Sequence, residues 1–320
     1  MPKELTHFLM AEKTAEDLAL SRLGGAGRAQ RHALLFGSVF PDILYYSARR
    51  LPDGIPGLPE RMHGKQGGLD FLRMQADLLR EQPENQTRAA LLLGMICHVS
   101  LDETLHPLVG YFTESSPAPT TQQRSLITQR HRALESLIDM VLCPERIGSK
   151  KFSLKTIGGQ DARRFLADLP LADMAREAAT TVDTLTRAFA SSWTSYRRLQ
   201  RLCVSQLLAR CAYGIGHLLP DAAREIIALL YAPQLRGQAG ILGGTVQFRH
   251  PETGESVAAP LAKLMDKAVV RAAQLAGETE EYLKGGSFPA ALPNPCAGLC
   301  GELRFFADPP VPRLFREDTL

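Results

Sequence analysis

The chain has 320 residues, 45% of them hydrophobic, which is enough apolar material for one large domain or two ordinary ones. Its 37 basic and 34 acidic residues leave a formal charge of only +3 with no basic run, so charge supplies no footprint for nucleic acid. Nowhere do eighteen apolar residues run together, which excludes a transmembrane helix, and six scattered cysteines fit free thiols in a reducing compartment.

From the N-terminus, MPKELTHFLMAEKTAEDLAL begins with charge and lacks the apolar core of a signal peptide, so a cytoplasmic location is expected. Apolar residues three and four apart predict helices over 11–23, 28–37 and 67–82. His7 precedes the first of these. Asp42 follows Pro41 at the end of the apolar segment GSVFPDILYY, and His63 opens HGKQGG, a turn ahead of the helix at 67–82. Asn85 is placed to cap a helix from Gln86 to His106, with Pro107 ending it. On that helix, steps of four residues advance the side chain by only about 40°, so His98, Asp102 and His106 fan over one face. The segment just upstream, LLLGMIC, is apolar on every side, which puts this polar row in the interior.

A further helix over 122–142 repeats the device with His131 and Glu135, followed by Asp139, beside Ile127, Leu134, Ile138 and Val141. Later helices are expected near 160–168, 173–190, 195–213, 221–231 and 257–284. TVQFRHPETGESV (245–257) predicts a hairpin turning at Pro251–Gly254, and Pro and Gly concentrate again from 285, which reads as a loose tail. The fold expected is all-α: a multi-helix bundle with a metal cluster between helices and a small β-hairpin in the C-terminal part. The division expected is 1–234, with the ligand region in 1–140, and a C-terminal extension over 235–320.

Buried ionisable groups cost several kcal/mol unless paired. Structural ion pairs, His98 with Asp102 and His131 with Glu135, would answer that need without any metal. Spacing alone is weak evidence, since three of the eight histidines have an acid at the fourth residue and one such pair, His217 and Asp221, straddles Pro220. Clustering says more: six of the eight histidines fall in the first 131 residues, and imidazoles and carboxylates from several helices can converge on zinc. His32 reads as surface, His217 as helix-terminal, His250 as part of a turn, and Asp139 as a supporting or surface acid. Cys296 and Cys300 lack the further matching ligands of a metal clip and read as free thiols.

Taken in order, His7, Asp42 after a proline, His63 before a glycine, HVSLD (98–102), His106 and HRALE (131–135) resemble the zinc-dependent phospholipase C family of bacteria. Its helical fold is shared with single-strand-specific zinc nucleases. The motifs span about the first 140 residues, and MPKELTHFLMAE, PETGE and SF look like intracellular members, with a weaker likeness to about residue 290. The resemblance implies two to three zinc ions. One would be held by Asp42, His63, His98 and Asp102, a second by His106, His131 and Glu135, and a third by His7 with Asp102 bridging. In secreted members the mature N-terminal tryptophan completes the third site with its amine and carbonyl. This chain departs there, its only tryptophan being Trp193, and Pro2 exposed by removal of Met1 is the substitute expected.

The activity implied is phosphodiester hydrolysis of the phospholipase C type, in which zinc-bound hydroxide attacks the phosphorus of a phospholipid or related phosphate ester. Asp42 resembles the carboxylate assigned as general base. Transient contact with a membrane surface would follow, and Phe8, Phe40, Tyr45, Tyr46, Tyr111 and Phe112 are candidates for an apolar rim, although the same rings would stack bases in a nuclease. The alternatives are a zinc nuclease or nucleotidase, and a cytosolic helical protein that binds metal without turnover. The sequence leaves the oligomeric state unknown.

Overall fold

The computed structural model describes residues 3–48, 50–63, 65–113, 120–250 and 254–289. Met1 and Pro2, most of the hairpin turn, Cys296, Cys300 and the tail from 290 lie outside the described residues.

The first three helices are α1 (Glu4–Asp17), α2 (Arg22–Ala29) and α3 (Arg31–Gly37), and a 3-10 segment Phe40–Tyr46 follows. Next come α4 (Leu58–His63), α5 (Lys65–Glu81), α6 (Gln86–Thr113) and α7 (Thr121–Leu142). Short helices α8 (Leu154–Gly158), α9 (Arg163–Leu166) and α10 (Leu171–Glu177) lead to α11 (Val182–Cys203), α12 (Gln206–Ile215), α13 (Asp221–Ile227) and α14 (Pro233–Arg236). The chain then forms β1 (Thr245–Arg249) and β2 (Ser256–Pro260), paired antiparallel, and ends its described part in α15 (Leu261–Leu283). The fold is therefore all-α with one hairpin.

Local chemistry sets several starts. Asn85 accepts from the Arg88 N–H at 3.1 Å and so caps α6, while Thr120 and Gln123 form a capping box on α7. Ser21 and Thr181 cap α2 and α11.

The centre of the bundle is α6, which packs against α1, α2, α3, α5, α7 and α15. From Ala89 to Asp102 every one of its side chains is buried, because helices surround it on all sides. Two glycines set the tightest crossing. A Cβ at Gly94 would run into the Leu34 carbonyl, and one at Gly37 into the Leu91 carbonyl, so both positions must be glycine for α3 to lie this close to α6.

The structure corrects two sequence readings here. Pro107 does not end α6, which continues to Thr113. An interior proline costs about 3 kcal/mol. Burial of Leu108, Val109 and Phe112, at roughly 1.5–3 kcal/mol each, outweighs that. Tyr111, against Phe248 of β1, and the Arg271–Glu103 ion pair from α15 at 3.2 Å hold the same stretch. His7 does not precede the first helix but lies within it, because α1 starts at Glu4 rather than near residue 11.

Candidate metal centre

Five elements deliver the eight candidate ligands: His7 on α1, Asp42 on the 3-10 segment, His63 at the end of α4, the row on α6, and His131 with Glu135 on α7. All eight are buried. Their ligating atoms form three compact groups: His7, Asp42 and His98; His63, His98 and Asp102; and His106, His131 and Glu135. In each group these atoms lie within 4.8 Å of one another.

The inner part is built around His98 and Asp102. Nδ1 of His98 stands 2.9 Å from the Ser38 carbonyl, and Nδ1 of His63 stands 2.6 Å from the Pro59 carbonyl. A carbonyl only accepts, so each ring carries a proton on Nδ1 and turns its Nε2 inward. Those two Nε2 atoms face each other at 3.1 Å. Two lone pairs at that distance repel, so a second proton or a cation belongs between them. Two nitrogens on one tetrahedral zinc, with bonds of about 2.0–2.1 Å, would stand about 3.3 Å apart, close to the spacing found.

Carboxylates surround the same point. Asp42 Oδ1 lies 3.1 Å from His63 Nε2 and 3.8 Å from His98 Nε2, and Asp102 Oδ2 lies 3.2 Å from His98 Nε2. Burial works against charge on His98, but Asp102 and Asp42 outweigh it and hold the imidazole up to about 9. Burial likewise opposes ionisation of Asp102, yet the imidazoles of His106 and His98 keep its carboxyl well below the usual range. The place is arranged for positive charge.

His7 stacks on His98, ring centroids 4.4 Å apart and 12° from parallel, with its Nε2 3.5 Å from Asp102 Oδ1. Burial, reinforced by His98, drives it down to about 3, so the ring is neutral. The outer part pairs His131 Nε2 with Glu135 Oε1 at 2.9 Å, and the His106 ring stands 6.1 Å from that of His131. Burial takes His106 down to about 3 and His131 well below its ordinary value.

Both ring nitrogens of His7, both oxygens of Asp102 and both ring nitrogens of His106 are buried without a hydrogen bond. Buried polar atoms are rarely left so, and here the orphans point at one another from α1 and α6. Neutral imidazoles with anionic carboxylates are the donor set that zinc takes, and the Ser38 and Pro59 carbonyls fix the ring tautomers as such supporting groups do. The residues fit the metal.

The structure decides between the supporting and surface readings of Asp139 and revises several others. Asp139 is fully buried and, from α7, accepts the N–H groups of Leu5 and Thr6 at 3.2 and 2.9 Å and the Tyr231 hydroxyl at 2.7 Å. It thus caps α1, whose own N-cap residue Lys3 provides no side-chain cap, and holds the turn that carries His7. Its place on the same stripe as His131 and Glu135 was the available signal. The Ser38 carbonyl had none. Of the rim candidates, Phe8, Phe40 and Phe112 are core residues, and Tyr46 stacks on Tyr196; Tyr45 is 42% exposed and lies beside His63. His32 is half-buried, His217 exposed at a helix end, and His250 follows β1 at the turn.

The sequence model of the family described as zinc-dependent phospholipase C matches residues 6–198, a span that holds all eight candidate ligands. No curated protein and no solved structure matches the chain. Among the described residues no helix is long and apolar enough to cross a membrane.

Proposed function

The chain belongs to the zinc-dependent phospholipase C family, and from that premise we propose that it hydrolyses a phosphodiester bond of a phospholipid or related phosphate ester, using zinc bound at the centre described above. The observation that carries this reading is the convergence of eight imidazoles and carboxylates from five elements on one buried place.

Asp42, His63, His98 and Asp102 would hold one zinc, and His106, His131 and Glu135 a second. His7, with Asp102 shared, would serve a third. Zinc bound there supplies Lewis acidity and a water whose pKa falls towards 7. The chain's own groups do the rest. Asp42, Asp102 and Glu135 carry three negative charges against about six from three zinc ions, so the pocket keeps a net positive field for the phosphoryl oxygens. His63 and His98, each locked by a backbone carbonyl, hold their lone pairs inward and need little rearrangement. Asp42, on a short 3-10 segment, accepts the proton of the attacking water. His63 of the inner part and the outer His106, His131 and Glu135 keep 5–8% exposure, which gives the buried cluster an edge to solvent.

Metal analysis of the purified protein, with parallel assays on a phosphocholine ester and on single-stranded nucleic acid, tests this. Bound zinc with ester hydrolysis is expected. A protein that neither carries nor takes up zinc overturns the reading, and hydrolysis of nucleic acid alone moves it to the nuclease alternative.

A further inference from the structure

The described surface exposes ten large apolar side chains, and six of them fall within residues 202–226: Leu202, Leu207, Leu208, Ile215, Leu218 and Ile226. Solitary exposed leucines need no explanation, but a concentration of this kind marks an interaction surface. Helix α12 shows how it arises. Only Ala209 of its ten residues is buried. At 100° per residue, Leu207, Leu208, Cys211 and Ile215 fall within an arc of roughly 100°, and Ala209 lies opposite. The apolar stripe of this helix therefore faces solvent, the reverse of what packing alone would produce.

Charge says what the stripe is for. From residue 184 to residue 220 the sequence has five arginines and no aspartate or glutamate. Arg187 pairs with Asp183. Arg198, Arg201 and Arg210 are exposed, and no carboxylate lies within salt-bridge distance of them among the described residues. Exposed leucines and isoleucines bordered by unneutralised arginines are the composition of an element that lies in a lipid interface, its apolar side chains among the acyl chains and its cations at anionic headgroups.

The position suits the site. Helix α13, which carries Ile226, packs on α7, and its Glu225 accepts from the Ser125 hydroxyl at 2.6 Å and from Arg132 at 3.5 Å. Arg132 adjoins His131, so the apolar surface is fastened to the helix that forms the outer, more open part of the metal centre.

We propose that residues 202–226, with the arginines of α11 and α12, dock the protein on an anionic phospholipid surface. This deepens the phospholipase reading and rests on it for the substrate's location. The test uses the full zinc-loaded chain and vesicles of phosphatidylglycerol mixed with phosphatidylcholine. It compares the protein with the Leu207→Gln/Leu218→Gln double variant, chosen because these side chains are 76% and 74% exposed and their loss leaves the core intact. Expected are vesicle binding that weakens as salt rises, at least tenfold weaker binding by the variant, and turnover of a short, monomeric phosphate ester equal to that of the parent. Absence of vesicle binding, or binding that the variant retains in full, overturns the proposal. So does a concentration-dependent dimer that the variant abolishes without vesicle binding, which assigns the surface to a second copy. A lowered Tm in the variant without vesicle binding also overturns it, because these side chains then serve the fold and not docking. Vesicle binding without ester hydrolysis supports the docking surface and sinks the catalytic reading alone.

Discussion

The inner and outer parts of the metal centre are assembled differently. The inner part draws on α1, the 3-10 segment, α4 and α6, and its rings are fixed by the Ser38 and Pro59 carbonyls. The outer part needs only α6 and α7, which are consecutive helices in the chain. Contacts between distant segments cost more chain entropy to form than contacts between neighbours, so the inner part depends on the whole bundle and the outer part on a single helix pair. Changes in the core should therefore separate the two.

The largest effect is expected from Asp102→Ala. Asp102 lies within 3.8 Å of His7, His98 and His106, so its removal leaves three buried imidazoles without their shared carboxylate. Zinc affinity of the inner part should fall by more than the ~10–100-fold typical of a supporting partner, with hydrolysis lost in proportion; titration with a competing chelator measures it. His131→Ala should remove the outer zinc alone, so that metal analysis shows one ion fewer and the chelator curve of the inner part is unchanged. Gly94→Ala acts from outside the ligand set. Its new methyl meets the Leu34 carbonyl and forces α3 off α6, at about 1–3 kcal/mol. With Ser38 displaced from His98, inner zinc affinity should drop by ~10–100-fold while the outer site keeps its own. Equal weakening of both sites would erase the contrast.

The smallest effect concerns pH. Burial, reinforced by Glu4, pushes the Asp139 carboxyl up to about 6, opposed by Thr6, by the Lys3 charge and by the Tyr231 hydroxyl. The folded protein therefore keeps this proton to higher pH than the unfolded chain does. The stability involved is present in full below about pH 4 and is lost as pH rises through about 6. Between pH 5 and pH 7 the urea midpoint of the metal-free parent should fall relative to that of Asp139→Asn, a comparison that cancels the opposite drift from the burial-lowered His7, His106 and His131.

How much of this could be read from the sequence varies with distance along the chain. The row His98, Asp102 and His106 and the pair His131 and Glu135 are each set by helical spacing, so the sequence displays them directly. The resemblance supplied the remaining ligands and their order. Asp139 shares the stripe of His131 and Glu135, yet its role comes from meeting the start of α1, more than 130 residues away. The extent of α6 was misjudged at Pro107, because local preference there is overruled by burial of Leu108, Val109 and Phe112. The rim aromatics were misjudged for a related reason. Phe8, Phe40 and Tyr45 look alike as residues near ligands, and only packing separates buried Phe8 and Phe40 from exposed Tyr45.

By itself the sequence determined the helical class, the hairpin, and which acids and imidazoles share a helix face, because periodicity and caps act within a few residues. Only the tertiary structure decided that two Nε2 lone pairs meet, that a backbone carbonyl orients each ring, and that one helix turns its apolar side to solvent. Those depend on the close approach of α3, α4 and α6 and on what happens to cover each face, and no local spacing encodes either.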